Sequence, residues 1–152
     1  LVGRQEMYVP FHSYRFDDPS LTQEQLLTVG HANPDYMRYE LRRVWVVEAT
    51  LRDGFRHIYG KRRFYVEEDG WHIAITENYD NRGELWKTVM INSLYLFDKQ
   101  GYDIRSQMFH DLRAGVYNTT RMTNWTKPWN FSAPDPGEDF YTTDNLRKSG
   151  KR

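Results

Sequence analysis

Between Met37 and Leu51 the odd positions carry Met37, Tyr39, Leu41, Arg43, Trp45, Val47, Ala49 and Leu51, all apolar except Arg43. The even positions carry Arg38, Glu40, Arg42, Glu48 and Thr50, broken by Val44 and Val46. A period of two sustained over this length predicts a long β-strand with one wet face. The Asp53-Gly54 turn leads to a partner strand over 57–68, and Asp69-Gly70, between Tyr65–Glu68 and Trp71–Ile75, predicts a two-residue hairpin. Beyond Asp80–Gly83 a strand over 84–97 is apolar on both faces from Val89 onward, which predicts cover on both sides. A weaker pair, 104–112 and 116–122, flanks Ala114-Gly115.

Upstream, Met7–Phe11 with its Pro10 reads as an edge strand or simple extended segment. Ser20 is placed to cap a short helix over 21–27 that Gly30 ends, and Asn33-Pro34-Asp35 is a turn. From Asn124 onward the pattern predicts an irregular tail over 124–152 with a terminal helix near 143–148. The expected fold is mainly β (α+β): a long antiparallel meander forming a curved, unclosed half-barrel with few short helices. Strands this long exceed the usual ~5–6 residues, and their twist favours curvature over a flat sandwich.

Composition narrows the function classes. The 152 residues fit one domain, and 21 Lys and Arg balance 21 Asp and Glu, which argues against a chain whose business is coating nucleic acid. Absence of cysteine excludes disulfides and thiolate chemistry. No apolar run approaches the ~20 residues of a membrane helix, and the start Leu1–Glu6 lacks the apolar stretch of a signal peptide. Eleven Tyr, 8 Phe and 5 Trp supply the large buried areas that a core needs.

Catalytic and metal motifs are missing. His12, His31, His57, His72 and His110 share no zinc-ligand spacing, and no nucleophile elbow, phosphate loop or dinucleotide fingerprint occurs. His110-Asp111 are neighbours on a strand and so point to opposite faces. The chain therefore reads as no enzyme, with no cofactor and no metal site. Arg42-Arg43 and Lys61-Arg62-Arg63 form either a patch for anionic headgroups or single-stranded nucleic acid, or cross-strand pairs with Glu40, Glu48, Glu67 and Glu68, and zero net charge favours the pairs. Three glycosylation sequons begin at Asn118, Asn124 and Asn130, and Trp125, Trp129 and Phe131 beside them offer an aromatic platform for sugar. The apolar strand face remains, and a curved sheet with few helices leaves it to bind something. The candidate ligand-binding residues are Tyr39, Leu41, Trp45, Val47, Phe64, Ile73, Ile75 and Trp86.

Several stretches are distinctive: Asn33-Pro34-Asp35-Tyr36-Met37-Arg38-Tyr39 running on through Glu48-Ala49, His57-Ile58-Tyr59-Gly60-Lys61-Arg62-Arg63-Phe64-Tyr65, Asp69-Gly70-Trp71, Tyr79–Trp86 and His110–Gly115. Over about residues 6–147 the chain resembles the bacterial family called domain of unknown function 1329, often labelled outer membrane lipoprotein-sorting protein. Its order of strands and turns is also similar to the wider LolA and LolB carrier group, whose half-barrels hold acyl chains in an apolar cavity under helices. The resemblance implies a single domain forming the C-terminal part of a longer half-barrel, located in the periplasm or at the outer membrane. It implies a non-catalytic carrier or binding protein for a hydrophobic ligand such as a lipid or lipoprotein acyl chain. An adaptor role in an envelope transport assembly and a carbohydrate-binding module are the alternatives.

Overall fold

The computed structural model describes residues 1–126 and 134–150. Seven strands follow one another: β1 (Gly3–Pro10), β2 (Tyr39–Thr50), β3 (Lys61–Glu67), β4 (Ile73–Tyr79), β5 (Leu85–Leu96), β6 (Gly101–Asp111) and β7 (Val116–Thr120). They form one sheet in sequence order, and each neighbouring pair is antiparallel. The expected meander is therefore present, and β2 and β5 run for 12 residues each, about twice the usual strand length.

The sheet curls. Phe11, just past β1, bridges Ser93 of β5 in parallel, and the His12 N–H donates to the Ser93 carbonyl at 2.9 Å. β5 stands four places from β1 in the sheet, so this contact requires the ribbon to bend toward the face that carries Val9, Val44 and Tyr65. Among the described residues β1 and β7 do not pair with each other, and the half-barrel stays open.

Residues 11–37 form a strap across the inner side. It contains 3-10 turns at Tyr14–Asp17 and Pro34–Tyr36 and one short helix, α1 (Gln23–Leu26). Thr22, not Ser20, caps α1: its side chain accepts from the Gln25 N–H while the Gln25 side chain accepts from the Thr22 N–H, a reciprocal capping box. Ser20 is instead engaged with the Asp18 carboxylate. The strap closes one apolar cluster of Phe16, Leu26, Ala32 and Met108, bordered by Met37, Met90 and Met122. The second cluster, Val9, Val44, Val46, Tyr65 and Ala74, fills the bend itself. After β7 the chain is pinned to the strap, where the Asn124 amide donates to the carbonyls of Phe16 and Asp18. The predicted terminal helix is α2 (Thr143–Ser149), capped by Thr142.

Two expectations are corrected by the backbone. First, the core side of β2 is the even side: Val44 is fully buried and Val46 is 6% exposed, whereas Leu41 is 54% exposed. Alternation announces two faces but not which one the curl encloses. The charged even positions are accommodated inside by pairing, as with Arg42 to Glu67 at 2.7 Å and Arg63 to Glu48 at 3.0 Å. Second, Asp69-Gly70 is not a two-residue turn. The Glu67 N–H donates to the His72 carbonyl and the Trp71 N–H to the Glu67 carbonyl, so 68–71 is a four-residue loop with Trp71 at φ +53°. The buried Glu67 carboxylate widens it by accepting from the Gly70 N–H at 2.6 Å while it holds Arg42.

Candidate functional site

The outer face carries a row of register partners that crosses the sheet: Val47 of β2, Phe64 of β3, Thr76 of β4, Val89 of β5, Phe109 of β6 and Asn118 of β7. Directly opposed residues in antiparallel strands share a face, so this row is continuous. Beside it Trp45, Val66 and Ile73 form a second, shorter row. Farther toward the strap end lie Tyr39 and the Tyr8–Leu41 pair, separated from Trp45 by the ion cluster of Arg4, Arg43 and Glu68. Ile73 is 37% exposed and Phe109 40%, so these side chains cover one another only partly. The Trp45 Nε1–H is buried without a hydrogen-bond partner.

Next to the main row runs a polar one: Asn78, Lys87, Asp111 and then Val116. Between the two, over β4–β7, lies a hollow of about 320 Å³ whose wall includes Tyr59, Lys87, Val89, Phe109 and Asn118. Lys87 Nζ stands 3.3 Å from an Asp111 carboxylate oxygen. The other oxygen accepts from the Trp86 indole N–H at 3.1 Å and from the backbone N–H groups of Arg113 and Ala114. The Ala114 N–H, first, and the Lys87 ammonium hold the Asp111 carboxyl below its ordinary range, so it is a fixed anion. Trp86 packs edge-on against Tyr59, with the Lys87 ammonium 4.8 Å and the Arg113 guanidinium 5.3 Å from its ring. Arg113 also ties down Glu84 and Asp80, whose carboxyl it pulls down to about 2 by its hydrogen bond. The rim of the hollow is thus rigidly charged, with both its cations paired to carboxylates.

Of the residues expected from the sequence, Tyr39, Leu41, Trp45, Val47, Phe64 and Ile73 share the outer face. Ile75 points the other way, opposite Tyr65, and packs against the inner cluster. A register shift at Tyr65/Val66 changes the alternation between Ile73 and Ile75. Trp86 falls at the rim of the hollow, where a second shift at Asn78/Tyr79 leaves it without a register partner in β4. Val66, Val89, Phe109, Val116, Tyr59, Asn78 and Lys87 complete the surface, and of these Phe109, Val116, Asn78 and Lys87 carry no mark in the sequence pattern. In β6 the outward run Gln107, Phe109, Asp111 carries a single apolar residue, too little for a periodic signal.

The remaining expectations resolve locally. His110 and Asp111 lie on opposite faces, paired to Tyr117 and Val116 respectively. His12 is a strut: its Nε2 accepts the Tyr95 N–H, so Nδ1 donates to Glu40 at 2.8 Å. His72 is buried, and burial lowers its pKa and favours the neutral ring. Among the described residues no group of His, Asp and Glu is arranged to hold a metal ion, and no helix is long and apolar enough to cross a membrane. Arg42, Arg43, Lys61 and Arg63 pair with Glu67, Glu68 and Glu48 as the sheet pattern implied. The Asn124 amide is 95% shielded and spent on the strap, so that sequon offers no free nitrogen for a glycan. Trp125 anchors to the Leu21 carbonyl, while Trp129, Asn130 and Phe131 lie outside the described residues.

Residues 1–147 match the model of a protein family of unknown function, DUF1329. An uncharacterized protein of Pseudomonas aeruginosa is 41% identical over 155 residues, a match that takes in 100% of this chain and 33% of the relative; the chain thus spans a third of that protein. A candidate outer membrane lipoprotein-sorting protein domain from Vibrio parahaemolyticus is 22% identical, covering 52% of this chain and 34% of its own, with a TM-score of 0.42. A DUF1329 family protein from Desulfovibrio piger is 15% identical, covering 51% and 32%, with a TM-score of 0.44. A LolA superfamily protein from Nitrosomonas europaea is 20% identical, covering 84% and 65%, with a TM-score of 0.41.

Proposed function

The chain belongs to the DUF1329 family, and from that premise we propose that it forms the binding wall of a non-catalytic envelope carrier for a hydrophobic ligand, a lipid or lipoprotein acyl chain. The observation that supports this is the partly exposed outer row Val47–Phe64–Val89–Phe109, broken at β4 by the buried Thr76, whose Phe109 end is 40% exposed and lines the hollow. An exposed apolar stripe of this extent favours any partner that removes it from water. Each methylene so buried contributes ~0.8 kcal/mol, and an acyl chain laid along the row is held without a charged anchor. The periplasmic or outer-membrane setting is carried over from the family resemblance.

One observation favours a second reading. The Pseudomonas relative is three times as long as this chain, and protein rather than lipid then has the means to cover the row, as in an adaptor of an envelope transport assembly. Native mass spectrometry of the full-length protein after gentle extraction separates the two. A co-purifying hydrophobic molecule that Phe109→Ser removes is the expected result. A row protected from hydrogen exchange with no lipid in any preparation overturns the carrier reading in favour of the adaptor.

A further inference from the structure

Resting on that reading of the outer face, we infer that the site takes a single-chain amphiphile whose head carries no net charge, its tail along the Val47–Phe109 row and its head in the hollow beside Asn78, Lys87 and Asn118.

The dimensions fix one chain. From Val47 in β2 to Phe109 in β6 the row crosses four strand intervals, which at ~4.8 Å each is about 19 Å. One leaflet of a membrane's hydrocarbon core is about 15 Å deep, so the row matches the length of an ordinary lipid tail. At β6 the apolar track is a single side chain wide, because the outward neighbours of Phe109 are Gln107 and Asp111. A second tail has no apolar seat there.

The direction follows from where hydrogen-bonding groups stand. Asn78, Lys87 and Asn118 gather around one hollow at the β4–β7 end, whereas at the β2–β3 end the row's own side chains are Val47 and Phe64 and the nearby ions are already engaged, Arg4 and Arg43 with Glu68 and Arg62 with His57. A polar head placed at the β2–β3 end adjoins Val47 and Phe64 and has to compete with ion pairs already formed, both at a desolvation cost.

The charge preference comes from the Lys87–Asp111 pair. Lys87 is the cation on the hollow's wall, and it is 3.3 Å from a carboxylate that Trp86 and the Ala114 N–H hold in place. An incoming phosphate or carboxylate meets Asp111 wherever it meets Lys87, so the pair works against an anionic head as much as for it. An ester, amide or hydroxyl head meets no such opposition and finds both a donor and an acceptor in the exposed Asn118 amide.

The test is displacement of a fluorescent C16 probe from the full-length protein by three competitors of equal tail length: a monoacylglycerol, a fatty acid and a lysophosphatidylglycerol. The monoacylglycerol is expected to displace the probe at about tenfold lower concentration than either anion. Asp111→Asn unmasks Lys87 and is expected to bring the fatty acid to within about twofold of the monoacylglycerol. Lys87→Met, which leaves the turn at Asp111 intact, is expected to weaken the fatty acid further and to leave the monoacylglycerol within about twofold. Equal displacement by all three heads in the wild type and in both variants overturns this inference and leaves the hydrophobic site standing. Failure of the probe and of every single-chain amphiphile to bind overturns the carrier reading itself.

Discussion

The two faces of the same strands are made from similar amino acids and have opposite fates. Inside the bend, Val44 and Val46 sit among Val9 and Tyr65, and the charged residues beside them are locked in pairs such as Arg42–Glu67. Outside, Trp45 is larger than Val44 or Val46 and Val47 is the same residue, yet Ile73 and Phe109 on that side remain more than a third exposed. The difference teaches that hydrophobicity alone does not choose the core of a curved sheet. Curvature does, because the concave side brings residues from non-adjacent strands within reach, as Phe11 reaches Ser93, and the convex side spreads them apart.

The sharpest way to break the contrast is on the inside. Arg42→Met leaves the 99%-buried Glu67 without its cation and is expected to cost about 3–5 kcal/mol in urea unfolding, while Arg42→Met with Glu67→Leu recovers most of it. A double variant as unstable as the single one shows that the pair is not the reason. Phe16→Ala removes the largest ring of the strap cluster and should cost about 3–4 kcal/mol, with enhanced exchange of amides over 14–37.

A smaller effect comes from pH. Burial, with Asp103 adding to it and Arg105 opposing it, pushes the Asp17 carboxyl up to about 6, and neither oxygen has a hydrogen-bond partner. The folded chain thus binds a proton more tightly here than the unfolded chain, whose carboxyl titrates near 3.8. Ionisation as pH rises through that interval therefore removes stability. Asp17→Asn should stabilise by about 1–3 kcal/mol at neutral pH and by nothing below the lower value, read as a pH series of unfolding midpoints. His72 has the opposite sign: burial lowers its pKa below 6.5, so its contribution is present above that pH and is lost as pH falls beneath it. His72→Phe should flatten that acid limb and leave the Asp17 limb untouched.

The smallest stability effects belong outside. Phe109→Ser should change stability by less than about 1 kcal/mol, since its side chain is 40% exposed, while Phe64→Ser, at a half-buried position, should cost about 1–2 kcal/mol. The same substitutions should weaken the binding of a C16 probe by about tenfold, as the loss of one aromatic contact implies. A large stability loss without a binding loss would place these residues in a core and erase the distinction between the faces.

Much of the architecture was legible in the chain. The alternation over Met37–Leu51 marks β2, the Asp-Gly and Asn-Pro signals mark the turn regions, and Thr143–Lys148 marks α2. Six of the eight candidate residues lie together on one face because period two does define a shared face. Ile75 faces inward and Trp86 leaves the row because register shifts at Tyr65/Val66 and Asn78/Tyr79 reset the alternation, and nothing in the local composition marks a shift. The hollow has no signature in the chain because Asn78, Lys87, Asp111 and Asn118 come from four strands and share no sequence pattern.

By itself the sequence determined the strands, their order as a meander and the pairing of Arg with Glu across them, since these depend on neighbours within a strand or one turn away. Only the tertiary structure decided which face became interior. That choice rests on the direction of the curl and on a strap of residues 11–37 that covers one side, and both arise from contacts between segments far apart along the chain.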